Sequence, residues 1–343
     1  MRHQLMLKSN LGIGPLSSEI IEAVFRHSNY QRTELMLIAS KNQIDHSGGY
    51  VNSWTTSQYA NFIRNMKEKY KFSSVKVCRD HCGPGFNGVH DLEDTYKTIE
   101  TDIKNGFDLI HIDFCHFKGH KDERFNESKK AIERCLSLNP KILLEVGTDE
   151  NTGINFGFMN VPELREEISF FKGFCDPEFY VVQTGSLVKE INQVGNFNKR
   201  FIEKVRPILR ENSLRLKEHN ADYLSKEEIS ERIGIVDAMN IAPQLGVVHT
   251  SVVLGKCLEY GIRFDDFIDE VYRAGKWKKW MHRNSPENKL LCALIAGHYH
   301  FASDSYKKII GQLEKRMEIQ ETIINTIMEV IEHYQSAYDR KKS

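Results

Sequence analysis

Residues 75–84 read Val-Lys-Val-Cys-Arg-Asp-His-Cys-Gly-Pro, a short apolar run that closes on Asp80-His81 before Gly83-Pro84 forces a turn. The same build recurs in LMLIAS (35–40), LIHIDF (109–114), ILLEVG (142–147), YVVQTG (180–185) and LRLKEH (214–219). Each run ends in a polar residue: Ser40, Asp80-His81, Asp113, Glu145, Gln183 and His219. Strands buried on both faces have this composition. In parallel α/β folds, ligands bind outside the carboxyl ends of the strands. The polar ends therefore predict one shared site.

Two weaker segments, near 10–14 and 233–240, bring the strand candidates to eight, the others lying near 34–39, 74–79, 108–113, 141–146, 178–183 and 212–217. Helical patterns fill the intervals, as in SSEIIEAVFRH (17–27), SQYANFIRNMKEKY (57–70), DLEDTYKTIETDIKNG (91–106) and SKKAIERCLSL (128–138). Apolar residues there recur at i, i+3 and i+4. Ser225 with Glu228 fits a capping box, and Gly106 a helix stop. Strict strand–helix alternation predicts an α/β chain, a (β/α)8 TIM barrel over residues 1–262, with a doubly wound sheet as the alternative. The turn GIGPLSS (12–18) lacks the third glycine of a dinucleotide fingerprint. Residues 263–343 form a C-terminal helical extension, packed on the barrel or at a subunit interface. Its stretch 264–300 carries Trp277, Trp280, His282, His298 and His300, and 304–338 reads as one long helix.

Lys+Arg and Asp+Glu both total 47, so nothing suggests the basic footprint of a nucleic-acid binder. The amino-terminal residues lack a signal-peptide core, and no uncharged run is long enough to span a membrane. Seven cysteines without a C-x-x-C read as reduced thiols of a cytoplasmic protein. Cys82 and Cys115, at strand ends, are the candidates for a nucleophile.

Asp80 is the candidate acid/base, with Glu145 as a second catalytic carboxylate. His81 and His219 come from strands on opposite sides of a barrel mouth, so both can reach one ion, and Gln183 can add an oxygen ligand. Such a set suits a divalent metal, zinc first. Ser40, Asn42, Gln43, Asp113 and Asn240 are expected to contact substrate. Gly185-Ser186 and Gln244, beside Leu245-Gly246, are the candidate phosphate turns, because helix amino termini attract anions. Lys41, Arg79, Lys189 and Arg200 either meet phosphate or are solvated. His111, within its strand, and His116 and His120, in the next loop, are weaker candidates.

Taken in order, IASKNQIDHSGGY (38–50), CRDHCGP (78–84), GFDLIHIDF (106–114), VVQTGS (181–186) and EHNADY (218–223) are similar to motifs of the non-catalytic subunit of class II tagatose-1,6-bisphosphate aldolase. The resemblance spans about residues 30–250. It implies a class II aldolase barrel in which zinc polarises a ketose carbonyl, Asp80 exchanges the hydroxyl proton, and His81 and His219 are ligands. Gln183 stands about where active class II aldolases have a further histidine. The family's His-Ser-Thr-Asp-Tyr is His219-Asn220-Ala221-Asp222-Tyr223 here, a divergent member's sequence. Three functions follow: a metal-dependent aldolase on a phosphorylated sugar, a sugar-phosphate epimerase at the same site, or a non-catalytic stabilising subunit. The implied partners are a phosphorylated sugar and further subunits, either copies of this chain or an aldolase chain.

Overall fold

The computed structural model describes residues 7–149, 160–282 and 288–339. Its strands are β1 (Leu11–Ile13), β2 (Glu34–Ser40), β3 (Ser74–Cys82), β4 (Leu109–Ile112), β5 (Leu143–Thr148), β6 (Phe179–Val182), β7 (Val188–Lys189), β8 (Asn192–Gln193), β9 (Arg215–Glu218) and β10 (Ala238–Ile241). The barrel helices are α1 (Ser18–Gln31), α2 (Thr56–Lys69), α3 (Leu92–Lys104), α4 (Lys121–Leu138), α5 (Val161–Lys172), α6 (Lys199–Glu211), α7 (Lys226–Arg232) and α8 (Pro243–Glu259). Beyond them lie α9 (Asp265–Ala274), α10 (Lys289–Ala296), α11 (Asp304–Leu313) and α12 (Ile319–Asp339).

Among the described residues, β1, β2, β3, β4, β5, β6, β9 and β10 close into one parallel barrel, with β1 hydrogen-bonded to both β2 and β10. Closure excludes the doubly wound sheet. The helices begin where the sequence supplies caps. Ser17 accepts from the Ile20 N–H, and Thr55–Gln58 and Ser225–Glu228 form capping boxes. Pro243 opens α8, where its missing N–H costs no hydrogen bond.

The barrel interior has two tiers. Met36, Ile38, Cys78, Leu109, Phe179 and Ala238, with Leu7, form an apolar plug. Two residues beyond four of the plug positions, counting the partly buried Leu143, stand Asp80, His111, Glu145 and Asn240. Side chains alternate faces along a strand, so these groups look inward directly above the plug. The main core lies outside, between strands and helices.

Two features differ from the sequence reading. The loop after β6 holds an antiparallel hairpin, β7–β8, which the pattern did not predict. The stretch 304–338 is two helices rather than one. Leu313 and Ile319 are both fully buried, and a continuous helix would place residues with this spacing on different faces. The charged Glu314-Lys315-Arg316 turns the chain between them.

The C-terminal helices pack against the barrel. Tyr334 of α12 donates to the Ala221 carbonyl (2.7 Å) and to Gln244 Oε1 (3.0 Å), which ties the extension to the loop after β9. His249 of α8 lies between the Ser17 hydroxyl (3.1 Å) and the Tyr306 hydroxyl of α11 (2.6 Å). No helix among the described residues is long and apolar enough to cross a membrane.

Burial lowers the His249 imidazole from 6.5 to about 4. The unfolded chain therefore takes up a proton that the folded chain refuses. This part of the stability is complete above pH 6.5 and is lost as pH falls toward 4, amounting to about 3 kcal/mol. Unfolding midpoints measured across that window should decline, and His249→Asn should flatten the slope. An unchanged slope in the variant would remove His249 as the cause.

Candidate functional site

The site begins with a break in β3. Its register with β4 shifts between Arg79 and Cys82, and His81 takes a left-handed backbone with φ of 46°. A non-glycine residue holds that conformation only where its surroundings compensate, at about 1–3 kcal/mol. Here the His81 N–H donates to His111 Nδ1 at 3.2 Å, and the His81 ring stacks on Phe86. Adjacent strand residues normally face opposite ways. The bulge lets Asp80 and His81 face the same chamber, with His81 Nε2 3.9 Å from Asp80 Oδ2.

Asp113, expected to touch substrate, holds His81 instead. Its Oδ2 accepts from His81 Nδ1 (2.8 Å) and from the Thr148 hydroxyl (2.9 Å), and its Oδ1 accepts from the Cys115 N–H. This fixes the His81 ring so that Nε2 points to the chamber, the usual way a carboxylate orients a ligating histidine. His219, from the end of β9, meets His81 Nε2 through Nδ1 at 3.3 Å. The same Nδ1 is 3.0 Å from Asp149 Oδ1, and His219 Nε2 is 3.3 Å from Glu145 Oε1. Glu145 in turn accepts from the Lys217 ammonium at 2.6 Å, both side chains being fully buried.

Two more residues complete the cluster: His111, a weaker candidate from the sequence, and Asp149, which the sequence did not mark. His111 lies 3.5 Å from Asp80 Oδ1 and 3.7 Å from Glu145 Oε1, while its Nε2 meets the Gly147 carbonyl. Its spacing of two from Leu109 within the strand was the available signal, and the register that pairs it with Glu145 appears only in the fold. Asp149, one residue past β5, had no such signal, because it belongs to no apolar run. Asn220 donates to its Oδ2 at 2.6 Å.

Burial opposes charge on Asp80, yet His81, His219 and His111 hold its carboxyl below the usual range. For Glu145 burial is overcome by Lys217 first and then by the histidines, and the carboxyl falls to about 2. Asp113 likewise falls to about 2, chiefly through His81. Burial works to lower His219, but Asp149 and Asp80 raise it to about 9, and His81 moves in the same direction.

This donor set fits a divalent ion. Asp80 Oδ1 is buried with no hydrogen bond, the His111 and His219 nitrogens standing 3.5 and 3.8 Å away, and Asp149 Oδ1 is buried against the His219 and His81 rings alone, at 3.0 and 3.6 Å; buried oxygens so sparsely met are costly. One ligand atom each from His81, Asp149 and His219, or from Asp80, His111, Glu145 and His219, can gather within 4.8 Å of one another. Nitrogen and carboxylate donors in that number suit zinc or a similar metal.

The other expected contacts are distributed differently. Gln183, read as a ligand, sits half-buried just past β6, and its side chain makes no hydrogen bond among the described residues. The side chain of Gln43 accepts from the Ser40 N–H (2.8 Å), and Asn42 donates to the Phe86 carbonyl. These three brace the loop after β2. Asn240 faces the mouth with both amide atoms unpartnered. Ser186 donates to Glu218, and Gln244 accepts from Tyr334 and the Tyr223 N–H. Lys41 and Arg79 are neither solvated nor free for phosphate. Arg79 makes a two-pronged pair with Asp102 (2.6 and 2.7 Å), and Lys41 lies among Asp45, Asp94 and Thr98. Cys82 is buried, its thiol pushed up to about 12, which leaves it inert as a nucleophile.

The fold and the site define a parallel (β/α)8 barrel with a chamber of histidines and carboxylates at its carboxyl mouth. Within that class, residues 11–141 are similar to the family model described as D-tagatose-1,6-bisphosphate aldolase subunit GatZ/KbaZ-like, the family whose motifs the sequence resembles. A crystal structure described as a probable tagatose 6 phosphate kinase from Sinorhizobium meliloti 1021 superposes with a TM-score of 0.79 at 14% identity, over 96% of this chain and 100% of that one. A fructose-bisphosphate aldolase from Campylobacter jejuni gives 0.59 at 11% identity, over 96% and 90% of the two chains. The YdjI aldolase from Escherichia coli K12 gives 0.50 at 13%, over 88% and 90%. At these identities the likeness establishes the fold.

The ion pair beneath the chamber is open to test. Lys217→Met strands a buried charge on Glu145 and should cost about 3–5 kcal/mol in urea unfolding. The double variant Lys217→Met/Glu145→Leu should recover most of that loss. A wild-type midpoint in the single variant would show that the pair does not hold the mouth together.

Proposed function

We propose that the chain is a metal-dependent aldolase-like lyase that makes or breaks a carbon–carbon bond next to the carbonyl of a hydroxylated ketone. The observation that carries this reading is the buried cluster in which Asp80 Oδ1 and Asp149 Oδ1 are met by histidine rings alone, those of His81, His111 and His219. His81, His219 and Asp149 would hold the ion, with Glu145 Oε1 within reach. When bound, a divalent ion supplies Lewis-acid polarisation of a carbonyl and stabilises the negative charge that cleavage leaves behind.

The chain's own residues divide the remaining work. Asp80 stays ionised beside the histidines and is the group placed to take a hydroxyl proton from the substrate. Asp113 and Thr148 fix the His81 ring. Lys217 engages Glu145 Oε2, so only Oε1 is turned toward His219. Asn240 offers a donor and an acceptor to substrate hydroxyls at the same level of the barrel.

A second reading has its own support, since the matched family is described as an aldolase subunit. In that reading the chain stabilises a separate aldolase chain, and the buried pairs serve structure.

Metal analysis separates the two. Purified protein should carry zinc or a related divalent ion, and His81→Ala and His219→Ala should lose it. Asp80→Asn should lower carbon–carbon cleavage by about 10²–10⁴-fold with an unchanged circular dichroism spectrum. Protein without metal, whose only effect is to raise the activity of an added aldolase chain, would sink the catalytic reading in favour of the subunit.

A further inference from the structure

Phosphate pockets in barrels of this class usually form from the loops after the last two strands and a helix amino terminus. Here those places are filled from within. The free N–H groups at the start of α8, those of Ala242 and Gln244, both donate to Asp222 Oδ1 at 2.9 Å. Asp222 is 1% exposed and sits in the loop after β9. The carboxylate takes the place an anionic ligand would use.

The turn after β6 is closed in the same way. Ser186 and Thr184 both donate to Glu218 Oε1, the latter at 2.6 Å. Arg232, the nearest guanidinium, donates to Glu218 Oε2 (2.8 Å), to the Glu228 carbonyl (2.9 Å) and to Ser186 Oγ (3.1 Å). Each of its nitrogens faces the protein. The glycines have packing duties as well. A Cβ on Gly185 would lie 2.1 Å from the Asn196 carbonyl oxygen, and one on Gly246 would lie 2.7 Å from the His298 ring. They permit close approach of chain segments, which explains them without a phosphate. Lys189 donates to the Lys279 carbonyl at 2.6 Å.

A phosphate entering this side would therefore meet the Glu218 and Asp222 side chains, with the donors around them already engaged. We propose that the substrate end lying against β6, β9 and β10 carries no phosphate and is a free hydroxylated ketone end. The proposal rests on the aldol reading above and names its substrate class. It departs from the sugar phosphate that the sequence motifs implied.

Proton exchange at the α-carbon tests it without knowing the aldehyde partner. In D2O, zinc-reconstituted protein would remove the α-proton of dihydroxyacetone to a base and solvent would return a deuteron, read by proton NMR. Dihydroxyacetone should exchange about 10-fold faster or more than dihydroxyacetone phosphate, and inorganic phosphate should not slow it. Preference for the phosphate ester, or inhibition by phosphate, would overturn the proposal. Calorimetry with inorganic phosphate provides an arm independent of turnover. Wild type should bind none, and Asp222→Ala, which frees the α8 N–H groups, should gain binding. Micromolar binding to wild type would overturn the proposal even if Asp222→Ala fails to fold. If neither ketone exchanges while wild type still rejects phosphate, the substrate-class inference stands and the aldol reading falls.

Discussion

Taking a carboxylate out of water costs several kcal/mol unless opposite charge and hydrogen bonds meet it. This chain gathers Asp80, Asp113, Glu145 and Asp149 at one barrel mouth, and much of the local architecture answers that cost. Lys217 rises from the floor to Glu145. The β3 bulge swings His81 between Asp113 and the chamber, and His219 lies between Asp149 and Glu145. Two carboxylate oxygens there, Asp80 Oδ1 and Asp149 Oδ1, are met by histidine rings alone, and they face the same space. A chamber so nearly balanced and still short of positive charge is what a divalent ion would complete.

Parts of the fold far from the chamber serve it indirectly. The Arg79–Asp102 pair lies behind β3, and its guanidinium also donates to the Ala39 and Ile44 carbonyls, which fixes the loop after β2 beside the bulge. On the other side, Tyr334 of the C-terminal helix binds the Ala221 carbonyl, two residues after His219. The extension thus steadies the loop from which His219 projects. His249 joins the same layers through Ser17 and Tyr306, so the packing that shapes the mouth carries a pH dependence of its own.

The phosphate turns show how a local pattern can mislead. Glycine and serine after a strand, or a helix start after the last strand, are the marks of an anion pocket. Gly185, Ser186 and Gln244 carry those marks, yet Glu218, Asp222 and Tyr334 occupy their donors and acceptors. The competing groups lie 20 or more residues away in sequence, so only their arrival in space reveals the competition. Asp149 presents the opposite case: no neighbouring pattern marks it, and the closure of β5 against β6 and β9 delivers it to His219.

Local pattern along the chain is enough to give the barrel and the level of its site. Apolar runs of strand length must be buried on both faces, alternation with helices makes them parallel, and the residue that ends each run stands at the mouth. Asp80, His81, Glu145 and His219 were legible for that reason. Which polar groups pair with one another is settled only when the strands come together. The left-handed turn at His81, the capture of Glu145 by Lys217, the place of His111 and the filling of the α8 amino terminus by Asp222 all depend on contacts between strands. Burial and charge balance set those contacts, and neither is a property of any one segment.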